Sequence, residues 1–157
     1  MNKKGFTLIE LLIVIAIIAI IAGVVFVALD PLTRFQDSRD SRRWGDITGV
    51  LSAVKINQVD NRGAYLDSIA STTIDTNYII GTASSGCGSG CTAVSSTSAC
   101  VDLTELVTRG YLASVPVDPS SGSADKTLYY LNRKSNGTLV VGACVPEHTP
   151  AGIFVAR

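Results

Sequence analysis

The chain has 157 residues with 13 basic and 13 acidic side chains, so its formal charge at pH 7 is zero. A neutral balance argues against a protein that binds nucleic acid through its overall charge, because that mode needs a net positive field. The length and the 46% share of hydrophobic residues fit a small domain tethered to a membrane.

An apolar run near the N-terminus predicts the tether. Leu11 to Leu29 contains no charged residue, and the apolar character begins at Phe6. About 20 apolar residues in a helix span a hydrocarbon core of about 30 Å, so residues 6–29 predict a transmembrane helix. The run exceeds the apolar region of an ordinary signal peptide, and no small-residue cleavage site precedes Asp30-Pro31. We therefore expect the helix to be retained.

One acidic residue, Glu10, lies inside this apolar segment. A lone carboxylate in lipid is costly unless a partner neutralises it, so an acid at this depth indicates function. The alternative is a carboxylate at the headgroup interface that has no specific partner. Lys3 and Lys4 orient the N-terminal side toward the cytoplasm by the positive-inside tendency.

Residues 3–10 read Lys-Lys-Gly-Phe-Thr-Leu-Ile-Glu and precede the apolar run. This pattern resembles the class III signal sequence of type IV prepilins and of the pseudopilins of type II secretion systems. The resemblance implies cleavage by a prepilin peptidase between Gly5 and Phe6 and methylation of the new Phe6 amine. It also implies that Glu10 pairs with the Phe6 amine of a neighbouring subunit in a filament. It covers about residues 1–60 well, and the remainder only in architecture.

The helix is predicted to continue to about Asp60, with a kink at Asp30-Pro31 because proline removes a helical hydrogen bond. Charges of both signs in residues 34–46 indicate a solvated face. An apolar stripe at helical spacing then predicts packing on a small domain; its members are Ile47, Val50, Leu51 and Val54. Asn61-Arg62-Gly63 is the expected stop.

Four cysteines follow the membrane segment, at Cys87, Cys91, Cys100 and Cys144. They are expected in an oxidising compartment, where two disulfides are the default. We favour Cys87–Cys91, across a flexible Gly-Ser-Gly, and Cys100–Cys144, which closes a long loop. The other pairings stay open. Structural zinc sites usually use two close cysteine pairs, and this spacing does not match them.

Residues 63–157 predict a globular head. Residues 63–99, rich in Ser, Thr, Gly and Ala, are interpreted as a connecting loop with one short apolar stretch at 78–80. Asp102 and Glu105 form a capping-box pattern that begins a short helix.

Two strand-like runs, 126–133 and 138–145, flank Asn136-Gly137, which is a hairpin signal. Residues 152–156 predict a third antiparallel strand. The apolar face that receives the helix stripe is expected from Leu128, Tyr130, Leu139 and Val141.

The predicted fold class is α+β, with a long N-terminal transmembrane and amphipathic helix packed on a small C-terminal antiparallel sheet, as in the pilin fold. The predicted parts are a leader peptide at 1–5, a transmembrane or filament-core helix at 6–29, a soluble amphipathic helix at 30–62 and the head at 63–157.

Residues 110–119 also resemble the segment before the calcium loop of major pseudopilins, but the usual Trp-Gly does not follow Asp118-Pro119. We therefore rank a pilus subunit above a secretion pseudopilin. Asp118 and Asp125 offer the oxygen ligands that calcium prefers. A solvated turn is the preferred interpretation, and we expect no metal or cofactor.

No catalytic motif is present, and His148, the single histidine, lies in an expected surface loop. We therefore predict a protein that is not an enzyme. A DNA-binding minor pilin is a further alternative; its basic and aromatic cluster would be Arg39, Arg42, Arg43 and Trp44. Nearby aspartates largely cancel this positive field, so we do not expect nucleic acid as a partner.

The predicted function is a structural prepilin. Its expected partners are the prepilin peptidase, the lipid bilayer before assembly, a membrane assembly platform and further copies in a helical filament. We expect a single-pass precursor pool in the cytoplasmic membrane and an extracellular pilus at the cell surface.

Overall fold

The computed structural model describes residues 5–149 and 152–157. The chain divides into two compact units, Met1–Phe35 and Gln36–Arg157. Lys3, Lys4 and most of the predicted leader peptide lie outside the described residues.

The first unit contains helix α1, Leu8–Leu29, in which no residue is buried. One helical segment in the described residues, Leu8–Asp60, includes a stretch long and apolar enough to cross a membrane. Asp30 ends α1 with a left-handed backbone, φ 38°. Helix α2, Pro31–Asp60, begins at the next residue. The predicted kink is thus a break between two helices, because Pro31 has no amide hydrogen to continue the α1 ladder.

Most of α2 belongs to the second unit, and its apolar stripe is confirmed. Ile47, Val50, Leu51 and Val54 are all buried. The predicted stop is confirmed too: α2 ends at Asp60, and the Gly63 amide donates to the Gln58 carbonyl over 2.7 Å. Gly63 adopts φ +92°, a conformation that glycine takes without the steric cost of a Cβ.

The head contains a five-stranded sheet in the order β2-β1-β3-β4-β5. Its elements in chain order are α3 (Asp67–Ala70), β1 (Asn77–Ile80), β2 (Cys100–Val101), α4 (Thr104–Thr108), β3 (Tyr129–Arg133), β4 (Leu139–Ala143) and β5 (Phe154–Ala156). The β1–β2 pair is parallel and the other three pairs are antiparallel. The predicted hairpin and third strand are confirmed.

The interpretation of residues 63–99 as a connecting loop is wrong in part. Strand β1 lies in that stretch, and β3 flanks it in the sheet. Strand β2 begins directly after the stretch and pairs with β1 as an edge. Short strands surrounded by Ser, Thr and Gly leave too little alternation to be recognised as strands in the sequence.

The predicted sheet face is correct for β4 and wrong for β3. Leu139 and Val141 join the core with the α2 stripe, but Leu128 and Tyr130 belong to a separate cluster around the disulfides. Tyr129 and Leu131 take their place in the main core. Leu131 pairs with Val141, and residues directly opposite each other in a sheet point to the same face.

The predicted capping box of α4 is also wrong. The helix begins at Thr104, and Leu103 at its N-cap makes no side-chain capping bond. Asp102 instead accepts a hydrogen bond from the Thr104 amide over 2.8 Å, and Glu105 pairs with Arg109 one turn later.

Candidate functional site

Helix α1 begins with a capping box formed by Thr7 and Glu10. The Glu10 carboxylate accepts from the Thr7 amide over 2.8 Å and from the Thr7 hydroxyl over 2.7 Å. The Glu10 amide donates to the same hydroxyl over 3.3 Å. The Thr-x-x-Glu spacing before an apolar run is the sequence signal for this cap, and our sequence analysis missed it.

The predicted processing residues Gly5 and Phe6 precede the helix and lie in irregular backbone. Both are exposed, Phe6 at 86%. No atom lies within 4 Å of a Cβ built on Gly5. The bond between them is therefore accessible and outside the helical hydrogen-bond ladder.

Glu10 lies on a helix whose large apolar side chains all face outward. The exposures in its neighbourhood are 65% for Ile9 and 61% for Leu11. A helix that is apolar on every side needs apolar surroundings, either lipid or other helices. Thr7 supplies hydrogen-bond donors to Glu10 but no positive charge, so the charge of the carboxylate is not balanced by this contact.

The pairing favoured from the sequence, Cys87–Cys91 and Cys100–Cys144, is wrong. Cys87 is bonded to Cys100, and Cys91 is bonded to Cys144. Backbone contacts explain the difference. The Cys87 amide donates to Ser98 O over 2.9 Å, close to Cys100 in the chain, and the amides of residues 92 and 93 both donate to Cys144 O over 3.0 Å. This docking of the loop on β4 brings each cysteine to its partner, and the sequence gives no sign of it.

The main polar site of the head is a buried ionic cluster around Arg43, whose side chain is 0% exposed. Its guanidinium donates to both Asp118 oxygens over 2.6 and 3.0 Å, a bidentate pair. It also donates to Asp40 over 2.7 Å and to Glu147 over 3.0 Å. The cluster joins α2 to two loops of the head.

Glu147 and Asp40 extend the cluster into the loop before β5. Arg39 holds both Glu147 oxygens over 2.6 and 2.7 Å. Asp40 accepts from the backbone amides of Glu147 and His148 over 3.1 and 2.8 Å. His148 Nδ1 lies 2.7 Å from Asp37 Oδ1. Residues 37–43 thus fasten residues 147–148 to the helix.

The contacts within the cluster shift the pKa values of its members. Burial alone would raise the pKa values of Asp40 and Asp118. Hydrogen bonds lower both pKa values instead. Asp40 accepts them from backbone amides and Arg43, and Asp118 accepts them from Arg43 and Ser120. The hydrogen bonds from Arg39 lower the pKa of Glu147. Burial opposes the charge of Arg43, but its three carboxylate partners raise its pKa overall.

The structure does not form an exposed cluster from the basic residues considered for DNA. Arg43 is fully buried, and Arg39 is held by Glu147. Arg42 is 63% exposed and lies 3.8 Å from Asp46. Trp44 is 41% exposed.

The two carboxylates considered for calcium have separate partners. Asp118 is buried against Arg43 and Ser120, and Asp125 accepts from the Thr82 hydroxyl over 3.0 Å. Among the described residues, no group of three or more His, Cys, Asp or Glu side chains is placed to hold a metal ion. A cation at Asp118 would have to displace Arg43.

Residues 1–26 match the family model for the prokaryotic N-terminal methylation motif. No curated protein and no solved structure matched the chain. This motif, together with the apolar α1 and the α+β head, supports the type IV pilin or pseudopilin family.

Proposed function

We propose that the protein is a structural subunit of a type IV pilus or pilus-like filament. The observation that carries this proposal is α1, a 22-residue helix of which no residue is buried. Burying a Val, Leu, Ile or Phe side chain stabilises by roughly 1.5–3 kcal/mol, so such a helix gains strongly from apolar neighbours. Lipid provides them before assembly, and the α1 helices of other copies provide them in the filament.

Processing converts the membrane precursor into the assembling form. A prepilin peptidase cuts between Gly5 and Phe6, and the accessible, non-helical backbone at this bond supports the assignment. The Phe6 amine is then methylated. The parts of the protein are the leader 1–5, the core helix 6–29, the amphipathic segment 30–62 and the head 63–157.

Glu10 directs assembly in this proposal. Its carboxylate has donors from Thr7 but needs a positive partner in an apolar medium. The amine of a neighbouring Phe6 supplies that charge, and the pair fixes the axial register of adjacent helices. A membrane assembly platform adds each copy, so the protein passes from the cytoplasmic membrane to the cell surface.

A pilus subunit is preferred to a secretion pseudopilin. Residues 110–119 resemble the pseudopilin segment before the calcium loop, but Trp-Gly does not follow Pro119. The carboxylate of Asp118 is committed to Arg43. Both features favour a head that needs no bound cation at this position.

Mass spectrometry of the mature N-terminus tests the proposal. We expect wild-type filaments to begin at methylated Phe6, and Gly5→Leu to retain the leader because its side chain obstructs the peptidase. Gly23→Ala is the matched control, since Gly23 also has no atom within 4 Å of an added Cβ but lies far along α1. It should be processed normally. An intact leader in wild-type filaments, or a cut at another bond, would contradict the proposal.

A further inference from the structure

The turn between β3 and β4 carries an asparagine in an unusual setting. Asn136 and Gly137 are both exposed. The Asn136 carboxamide oxygen accepts from the Thr138 amide over 3.0 Å, which is an Asx turn. The Gly137 amide donates to Lys134 O over 3.0 Å and closes the turn.

This geometry brings two reactive groups together. The Asx turn directs the Asn136 carboxamide toward the backbone of the residues that follow it, and the Gly137 nitrogen is the first backbone nitrogen in that stretch. Gly137 presents no side chain that would obstruct ring closure. No atom lies within 4 Å of a Cβ built on it, so the position is also open to water.

We infer that Asn136 is a site of spontaneous deamidation. The Gly137 nitrogen loses its proton to solvent base and attacks the carboxamide carbon of Asn136. A carbon–nitrogen bond forms, the bond to the side-chain nitrogen breaks, and ammonia leaves. Water then opens the five-membered succinimide at either carbonyl, which gives aspartate or isoaspartate. The net change is the addition of one water and the loss of one ammonia.

The folded turn lowers the rate of deamidation at Asn136. The Gly137 amide must release its hydrogen bond to Lys134 before the nitrogen becomes a nucleophile. Deamidation in the folded turn is therefore slower than in the unfolded chain. It depends on opening of the turn, a low-cost local event at an exposed hairpin tip.

The other asparagines serve as internal controls. The sequence has six asparagines, and Asn136 alone is followed by glycine. Asn57 and Asn132 are 1% and 3% exposed. Asn77 accepts a hydrogen bond from Asn132 over 2.7 Å. Asn136 should thus react ahead of all of them.

Deamidation changes the hairpin in two ways. Either product adds one negative charge at an exposed tip, next to Lys134. Isoaspartate also inserts one extra carbon into the backbone between β3 and β4. It should loosen the bond from the Lys134 amide to Thr138 O, 2.8 Å, and the bond from the Tyr65 hydroxyl to Gly137 O, 3.1 Å.

Peptide mapping of the purified full-length protein tests the inference. Folded and denatured samples are aged in mildly alkaline buffer, digested, and analysed by mass spectrometry with separation of aspartyl and isoaspartyl peptides. We expect the amide-to-acid mass gain first at Asn136, with both products present and a several-fold lower rate in the folded sample. Asn136→Gln, which closes the corresponding ring far more slowly, should remove this signal and leave the turn folded.

Three results would overturn the inference. One is an Asn136 that stays intact while another asparagine reacts. Another is an aspartyl product without isoaspartate, which would indicate direct hydrolysis in place of the succinimide. The third is a rate in Asn136→Gln equal to that of the wild type at this position.

Discussion

Glu10 in the first unit of the chain and Arg43 in the second are charged side chains with different kinds of partner. Glu10 lies in the first turn of a helix with no buried residue, and its partner Thr7 is three positions away. Arg43 is fully buried, and its partners Asp118 and Glu147 are 75 and 104 positions away. Glu10 has a local contact with Thr7, whereas Arg43 has a local contact with Asp40 and two further contacts that exist only in the finished fold.

The difference is one of charge compensation. Arg43 meets three carboxylates, so its charge is balanced inside the head. Glu10 meets a hydroxyl and an amide, and within the described residues it forms no salt bridge. The charge of Arg43, which has carboxylate partners, stabilises the fold of a single chain. The charge of Glu10, which has no positive partner among the described residues, is available to pair with a second chain.

The largest expected effect comes from removing the unbalanced charge. Glu10→Leu makes α1 more apolar, so membrane insertion and processing should stay at wild-type levels. Filament yield should fall to background, because each Phe6 amine then lacks its partner. Glu10→Gln should show the same defect in a milder form. Shearing and electron microscopy measure filaments, and immunoblotting of membranes measures the precursor pool.

The control for this comparison is Glu105→Leu, which removes an exposed carboxylate from the head. It should assemble normally. Wild-type filament levels in Glu10→Leu would mean that apolar packing alone directs assembly and that the Glu10 charge has no role in it.

The next largest effect, a loss of stability, is expected from removing the positive charge of Arg43. Arg43→Met leaves Asp118 buried without its partner and should cost about 3–5 kcal/mol of the free energy of unfolding. Arg42→Met is the matched control; its side chain is 63% exposed and 3.8 Å from Asp46, so a loss of about 0–1 kcal/mol is expected. Urea unfolding followed by fluorescence of Trp44, the single tryptophan, measures both.

A second variant separates charge from packing at this position. Arg43→Met combined with Asp118→Leu removes both members of the pair and should recover part of the lost stability, since Asp118 is no longer a buried charge without a partner. Asp40 keeps its hydrogen bonds from the backbone amides of Glu147 and His148. If Arg43→Met and Arg42→Met lower the free energy of unfolding by the same amount, the buried cluster contributes no more to stability than a surface pair.

A smaller loss of stability is expected at acidic pH. The pKa values of Asp40, Asp118 and Glu147 in the fold lie below their ordinary values of 3.8, 3.8 and 4.5. Their ionised forms therefore contribute stability that is present above these values and is lost as the pH falls through the folded-state pKa values. Thermal unfolding between about pH 5 and pH 2 should show a falling midpoint. Arg43→Met should show a flatter dependence, and equal slopes would contradict the assignment.

The smallest effect is expected from calcium. Asp118 is bonded to Arg43, and its exchange for a cation would break a buried pair. We expect no heat on calcium titration and no rise in the melting temperature. A saturable heat that disappears in Asp125→Asn would show that the loop binds the ion despite Arg43.

Local signals were sufficient for much of the fold. The apolar run, the stripe from Ile47 to Val54, the helix stop and the Asn136-Gly137 hairpin all depend on neighbours within a few residues. The Arg43 cluster and the cysteine pairing depend on contacts between distant segments, and no local pattern encodes them. Arg39 and Arg43 look like members of a mixed-charge solvated face until Glu147 and Asp118 are placed beside them.

The proposed processing site and Glu10 lie within a short sequence motif at residues 1–26, so a local pattern is sufficient to propose them. The part that was missed, the Thr7 cap on Glu10, was also present as a local pattern.

The crossed disulfides have a mechanical consequence for the head. Cys87 and Cys144 are 57 residues apart along the chain, and a fully extended segment of that length spans about 200 Å. With Cys91 bonded to Cys144, the covalent path from Cys87 runs through only four residues and one bridge. Tension applied to the two ends of the head therefore cannot draw out β2, α4, β3 or β4 while the bridges hold. Extension is confined to the segment before Cys91 and the segment after Cys144.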